Sequence, residues 1–131
     1  MIFNPNTITQ VKSFTANLAQ AAGTYDLATA TGGDVLVDLQ TLAIYVATAG
    51  ATLTSVSIQS NQTNATVILS AVEGAVANLI AQKNLVRAIP VIGGLLLKSG
   101  QKLQYTLVGV TGTGSLNVVV PFLSISGSTL V

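Results

Sequence analysis

Residues 103–122 read LQYTLVGVTGTGSLNVVVPF, and the alternation of their apolar and polar side chains decides the fold class. In the first half, Leu103, Tyr105 and Leu107 alternate with polar or charged residues. The second half places four further apolar residues on a single face: Leu116, Val118, Val120 and Phe122. Because successive side chains of a strand point to opposite faces, this spacing predicts two half-buried β-strands. The glycines of residues 111–114 (TGTG) predict a loop between them.

The same period of two recurs toward the N-terminus, interrupted by polar or glycine-rich turns. Residues 34–48 form either one central strand or two strands broken near Gln40, with Leu36 on the same face as Leu42 and Ile44. The other alternating stretches are residues 13–18, 24–31, 53–59 and 66–70. We predict an all-β protein, an antiparallel β-sandwich of about eight strands with a jelly-roll-like arrangement.

Two turns are predicted to close β-hairpins. Gly32 and Gly33 supply the positive φ that a tight reversal between neighbouring strands requires. Residues 98–101 (KSGQ) lie between the apolar residues 95–97 and the strand that begins near Leu103, which predicts a second hairpin.

Residues 71–87 leave two alternatives open. Val72, Val76 and Leu79 fall at helical spacing, whereas Gly74 opposes a helix, so one short helix is possible there. The chain of 131 residues is long enough for one domain, which we assign to residues 10–131. Residues 1–9 lack strong alternation, and we interpret them as an N-terminal arm in which Phe3 and Pro5 are the candidate docking residues.

The scarcity of charge is the strongest functional indication in the composition. Five basic and four acidic residues make up 7% of the chain, where about 25% is usual, while half of all residues are hydrophobic. A surface with so little charge is expected to be covered by other subunits or by a larger particle. The alternative is an exposed surface of neutral Ser, Thr, Asn and Gln side chains.

The chain lacks the residues that several kinds of catalytic and metal-binding chemistry usually require. The chain has no His and no Cys, so His-based nucleophilic systems, thiol chemistry and the usual zinc sites are excluded, and we predict neither an enzyme nor a cofactor or metal site. Asp34 and Asp38 would lie roughly 13 Å apart along a strand, too far for a glycosidase pair. A calcium site remains an alternative if the Gly32–Gly33 turn brings Asp26 beside them.

Binding to nucleic acid and insertion into a membrane are not expected. The cations are scattered, with Lys98 and Lys102 at one turn and Lys83 and Arg87 elsewhere, which favours protection of strand ends over a nucleic-acid footprint. No run of about 20 apolar residues and no N-terminal signal pattern is present. With three Tyr and no Trp, stacking platforms for sugars are few.

Three stretches together resemble short structural proteins of tailed bacteriophages, including jelly-roll-like capsid decoration or cement proteins. They are GTYDLATATGGDV (23–35), TSVSIQSN (54–61) and LKSGQKLQYTL (97–107). The resemblance covers residues 20–126 and carries over no functional residue. It implies a trimer or other homo-oligomer seated on the major capsid protein, in a virion assembled in the host cytoplasm, with an N-terminal arm that reaches the shell or a neighbour.

Two hypotheses follow from the sequence. The first is a virion structural protein, a capsid decoration protein that stabilises the shell by oligomeric and lattice contacts. The second is a tail-associated or receptor-binding jelly roll that recognises a host glycan through Tyr25 or Tyr45.

Overall fold

The computed structural model describes residues 7–85, 93–125 and 127–131, and confirms the all-β fold with eight strands. Helical structure in these residues is limited to one 3₁₀ turn, Val76–Asn78. The strands are β1 (Thr7–Asn17), β2 (Gly23–Thr31), β3 (Val35–Asp38), β4 (Ala43–Ser60), β5 (Val67–Leu69), β6 (Gly94–Leu97), β7 (Lys102–Ile125) and β8 (Thr129–Leu130). No helix in the described ranges has the length and apolar character needed to cross a membrane.

Strand β7 organises the molecule, because its 24 residues belong to both layers of a sandwich-like fold. Residues 102–108 pair with β2 and with the second half of β4, and β5 and β8 extend this layer, which we call sheet 1. Residues 115–125 pair with β1, β3 and the first half of β4, and β6 extends this layer, which we call sheet 2. All pairings of these strands are antiparallel.

The prediction of a loop at residues 111–114 is wrong, because β7 continues through these residues. There β7 bends from sheet 1 into sheet 2, and β4 bends beside it. The pairing survives the bend by shifting register several times between Val46 and Ser55 of β4. A Cβ at Gly112 would overlap the Ala51 carbonyl oxygen, and one at Gly114 would lie 2.7 Å from the Ala49 carbonyl oxygen. These glycines therefore permit two backbones to approach closely, and do not mark a chain reversal.

Both predicted hairpins are also wrong. β2 pairs with β7 and β8 while β3 pairs with β6 and β7, so Gly32 and Gly33 connect strands of different sheets. Likewise β6 pairs with β3 and not with β7, and the turn at residues 98–101 crosses from sheet 2 to sheet 1. Alternation indicates which face of a strand is buried, but a short connection does not require its two strands to pair.

Of the two alternatives for residues 34–48, the structure has two strands, with a turn at residues 39–42 between β3 and β4. Because of this turn, the core-facing residues of β3 and β4 do not follow one continuous alternation. Leu36 lies on the outer side of β3, whereas Leu42 and Ile44 are buried, so placing all three on one face was wrong.

In residues 71–85, where a short helix was one of two alternatives, the structure has only the single 3₁₀ turn. Gly74 is buried against β4, where its carbonyl oxygen accepts a hydrogen bond from the Val56 N–H at 2.9 Å. Further along, the Gly50 N–H donates to the Leu79 carbonyl at 2.9 Å. The segment thus provides hydrogen-bond partners for backbone groups at the edge of β4. An α-helix there would use its backbone groups for its own hydrogen bonds and would not provide them. Residues 86 and 87 lie outside the described residues.

The first strand begins at Thr7, which pairs with Ile125, so the last three residues assigned to the N-terminal arm lie in β1. Phe3 and Pro5, the candidate docking residues, lie outside the described residues.

One core lies between the two sheets and contains the apolar residues that the opening alternation assigned to one face. Phe122, Leu116 and Leu103 are almost completely buried, and Tyr105 is 4% exposed. The open side between β1 and β8 is closed by Lys12, whose ammonium nitrogen Nζ donates to the Thr129 hydroxyl at 2.9 Å and to the Leu130 carbonyl at 3.0 Å. A charge turned inward from an edge strand is a recognised protection against pairing with another chain.

Replacing Lys12 by methionine, which keeps the aliphatic stem, is expected to lower the free energy of unfolding by about 1 to 2 kcal/mol, because two hydrogen bonds from a charged donor are lost. Urea unfolding followed by circular dichroism measures this. Thr129→Val, which removes one of the two acceptors, should cost less. An unchanged unfolding midpoint for the methionine variant would show that the Lys12 contacts contribute nothing to stability.

Candidate interaction surface

The outer face of sheet 1 carries a network of bonded polar side chains next to two exposed valines, Val67 (49%) beside Gln59 and Val108 (46%) on β7. Thr24 and Thr106 face each other across β2 and β7, with hydroxyl oxygens 2.9 Å apart. Asp26 lies beside them, and its carboxylate accepts hydrogen bonds from Lys102 Nζ at 2.6 Å and from Gln104 Nε2 at 3.0 Å.

The ion pair between Asp26 and Lys102 changes the titration of the carboxylate. The hydrogen bond from Lys102, followed by the one from Gln104, holds the pKa of Asp26 below its ordinary value. Both side chains are well exposed, at 52% for Asp26 and 33% for Lys102, so solvent screens the pair and its contribution to stability is small.

We expect this pair to impose a weak pH dependence on stability. Because the pKa of Asp26 is lower in the folded chain than its reference value of 3.8, the charged carboxylate stabilises the fold above that pH. The contribution is lost as the pH falls through the lowered pKa. Asp26→Asn should therefore flatten the decrease in urea midpoint below about pH 4. Lys102→Met should flatten it similarly, and a variant that keeps the full wild-type slope would contradict this assignment.

The outer face of sheet 2 is polar along much of β1, with exposed Thr9, Ser13 and Thr15, and apolar at the end where β3 and β6 join it. Leu123, Leu36 and Leu96 lie in one row across β7, β3 and β6, since each is the register partner of the next. Leu96 is 42% exposed, and the neighbouring Val11 of β1 is 63% exposed beside its register partner Pro121. We call this surface the apolar face; further half-buried residues on its β7 strand are Val119 and Ile125.

A groove of about 300 Å³ lies within the apolar face. Its described lining comes from three strands, β1, β3 and β7, and from the glycine pair at the start of β6: Thr9, Leu36, Val37, Asp38, Gly93, Gly94, Pro121, Phe122 and Leu123. Gly94 leaves room for the Leu36 side chain, because a Cβ there would lie 2.8 Å from Leu36 Cδ1. A Cβ at Gly93 would meet nothing within 4 Å. The groove therefore exists where two consecutive residues of the sheet border carry no side chain.

Asp38 is the charged residue in the described lining of the groove. Its carboxylate accepts hydrogen bonds from the Thr41 hydroxyl at 2.9 Å and from the Gln40 N–H at 3.0 Å, and these bonds hold its pKa below the usual value. The carboxylate is thus engaged in the turn that follows β3, and it lies at the border of the apolar face.

The calcium alternative is contradicted within the described residues, where no group of three or more acidic side chains is close enough to hold a metal ion. Asp26 is bonded to Lys102, and Asp38 to its own turn. Asp34 lies apart from both, where its carboxylate accepts the Ser99 N–H at 3.3 Å. The expected hairpin that would have gathered the three acids does not form, because β2 and β3 lie in different sheets.

The tyrosines on which the glycan hypothesis relied are partly engaged inside the fold. The ring of Tyr25 stacks on that of Tyr105 with centroids 5.5 Å apart, and its hydroxyl donates to the Ala21 carbonyl at 2.7 Å. Burial raises the pKa of the Tyr105 phenol, which donates to Gln20 Oε1 at 2.7 Å. Tyr45 is half-buried on β4 and bridges to Asn84.

Comparisons with protein-family models, with curated proteins and with solved structures found no match for the chain. The sequence did not predict where the apolar face lies, although the low charge indicated that a surface of this kind exists.

Proposed function

We propose that the protein is a structural component of a virus particle, a capsid decoration protein that stabilises the shell through contacts among its own copies and with the major capsid protein. The observation that carries the proposal is the apolar face, where Leu36, Leu96 and Leu123 of sheet 2 lie in one row beside Val11, which is 63% exposed, in a chain with nine charged residues.

The apolar face supports assembly, because apolar surface contributes free energy only when it is covered. Apolar surface gains roughly 25 cal/mol for each Å² removed from water. Monomeric soluble proteins rarely expose large contiguous apolar patches, and those that exist commonly mark interaction sites.

The location on a virion is supported by the resemblance of residues 23–35, 54–61 and 97–107 to phage structural proteins. The same resemblance supports a trimer as the oligomer. The absence of His and Cys from the sequence, and the separation of the acids in the described residues, support a role without catalysis.

The experiment combines purified protein with tailed-phage particles assembled without it. We expect the protein to be oligomeric at micromolar concentration, to co-sediment with the particles, and to raise the temperature at which they release DNA. A matched control is particle stability after addition of an unrelated small β-protein. A monomer that neither binds the particles nor changes their stability would contradict the proposal.

A further inference from the structure

We infer that residues 128–131, which contain β8, form a clasp that covers the edge of β2 and keeps strands of other chains from pairing with sheet 1 there. The inference goes beyond the proposed function, because it concerns the isolated chain whether or not that chain binds a particle.

The clasp engages the backbone of β2 at a position where that strand would otherwise be the border of sheet 1. In the order of the sheet, β2 lies between β7 and β8. The Thr29 N–H donates to the Val131 carbonyl at 2.7 Å, and the Val131 N–H donates to the Thr29 carbonyl at 2.9 Å. Without the clasp, these groups of Thr29 would be presented to any strand that approaches the edge.

The part of β2 beneath the clasp has no protection of its own. Residues 27–31 (LATAT) contain no charge and no Pro, the residues that usually protect a strand edge. Ala28 and Ala30 are almost completely buried beside this edge. Closer to the start of the strand, the register shifts between Asp26 and Ala28. Such an irregularity beside a charge disfavours pairing with another strand, so the need for a cover is confined to residues 27–31.

The clasp is anchored independently of its hydrogen bonds to β2. Leu130 is fully buried in the core. The hydroxyl of Ser128 donates to the Asp34 carbonyl at 2.5 Å and accepts the Ile125 N–H at 2.9 Å. These bonds join the clasp to the end of β7 and to the residue before β3, so sheet 2 and the core hold it over the edge of sheet 1.

Lys12 closes the outer edge of the clasp itself. Because successive residues of a strand direct their backbone groups to opposite sides, the Leu130 carbonyl points away from β2, to which Val131 is bonded. Lys12 Nζ donates to this carbonyl at 3.0 Å and to the Thr129 hydroxyl at 2.9 Å. A strand of two residues with a cation on its outer acceptor is a poor template for a further strand, so sheet 1 ends at the clasp.

The test replaces Leu130 by aspartate in the full chain, which puts a charge where the clasp enters the core and should release it. Val131→Asp is the matched control, because it introduces the same charge at the next residue, whose side chain is exposed. Amide hydrogen exchange is followed by NMR. We expect the Thr29 amide to exchange roughly 100-fold faster in Leu130→Asp than in Val131→Asp, while the Val118 amide of β7 stays protected in both.

Self-association of the same variants is measured by sedimentation velocity over a range of protein concentrations. We expect Leu130→Asp to form additional species, absent from the wild type at the same concentration, at a protein concentration roughly tenfold lower than Val131→Asp requires. Infrared spectroscopy should detect intermolecular β-structure in these species.

A second variant covers the case in which Leu130→Asp does not fold, as judged by circular dichroism. Lys12→Met combined with Ser128→Ala removes an anchor on each side of the clasp and leaves Leu130 in place. The same faster exchange at Thr29 and the same additional association are expected, with the wild type as the reference.

Two results would overturn the inference. Unchanged exchange at Thr29 in a folded variant would show that the clasp is not what protects this edge. Fast exchange at Thr29 without additional association would show that the edge needs no cover. Neither result bears on the proposed function, which fails separately if the wild type neither self-associates nor binds particles.

Discussion

Replacing Gly74 by alanine is expected to lower the free energy of unfolding by about 3 kcal/mol, the upper range for forcing an atom into a packed site. A Cβ at Gly74 would overlap the Val56 carbonyl oxygen and would lie 3.2 Å from Leu69 Cδ2. The Val56 backbone cannot easily move, because Val56 pairs with Leu107 of β7 on its other side. The substitution would therefore displace the whole segment that covers the edge of β4.

Gly100→Ala is the matched control for Gly74→Ala. Gly100 has a φ of +89° with nothing within 4 Å of an added Cβ, so it measures backbone strain without a collision. That strain costs about 1 to 2 kcal/mol. Urea unfolding of both variants gives the comparison, and equal losses would show that the contact with Val56 is relieved by a small shift.

Truncation of Phe122 to alanine is expected to cost about 3 to 5 kcal/mol, the largest effect of any single core substitution proposed for this chain. Phe122 is 1% exposed, and its strand neighbours in the core, Val120 and Val118, are fully buried. Removing the ring leaves a cavity beneath the groove of the apolar face, which Phe122 also lines. The measurement is the free energy of unfolding in urea.

Two variants accompany Phe122→Ala. Phe122→Leu keeps most of the volume and should cost less than about 1.5 kcal/mol. Val11→Ala, at a side chain that is 63% exposed, should change stability by less than about 0.5 kcal/mol. Similar losses for alanine and leucine at position 122 would indicate that the core relaxes around the smaller side chain.

The core could be predicted from the sequence because apolar residues at every second position indicate which face of a strand is buried. Leu103, Tyr105 and Leu107 in the first half of β7 were assigned to one face, and all three are buried. The same holds for Leu116 and the other apolar residues of the second half. Hydrophobic periodicity needs no knowledge of strand partners, so the fold class followed from it.

The pairing of strands could not be predicted in the same way. Glycines at 112 and 114 fit two structures equally well: the end of a strand, or a bend at which two strands approach closely. The contacts that decide between the two structures are with Ala51 and Ala49, which lie far away in the sequence. The hairpin expected at residues 98–101 failed for a similar reason, since the partner of β6 is β3, about 60 residues earlier.

Prediction of the apolar face would have required both the alternation within each strand and the pairing between strands. Leu36, Leu96 and Leu123 each match the pattern of ordinary apolar strand residues, and their alignment in one row on the outer side depends on the register of three strands. The turn at residues 39–42, which changes the parity between β3 and β4, is what places Leu36 outside the core. The low charge of the chain indicated a covered surface but carried no information on its position.

The passage of β7 through both sheets has a mechanical consequence. A pull applied to the outer face of sheet 2 reaches sheet 1 along the covalent backbone between residues 108 and 115, and β4 provides a second such connection beside it. In a sandwich whose layers share no strand, the same pull would act on side-chain packing between the layers. In this chain the two layers are joined by the backbones of β4 and β7 as well as by packing, so a force on one layer is carried to the other through covalent bonds.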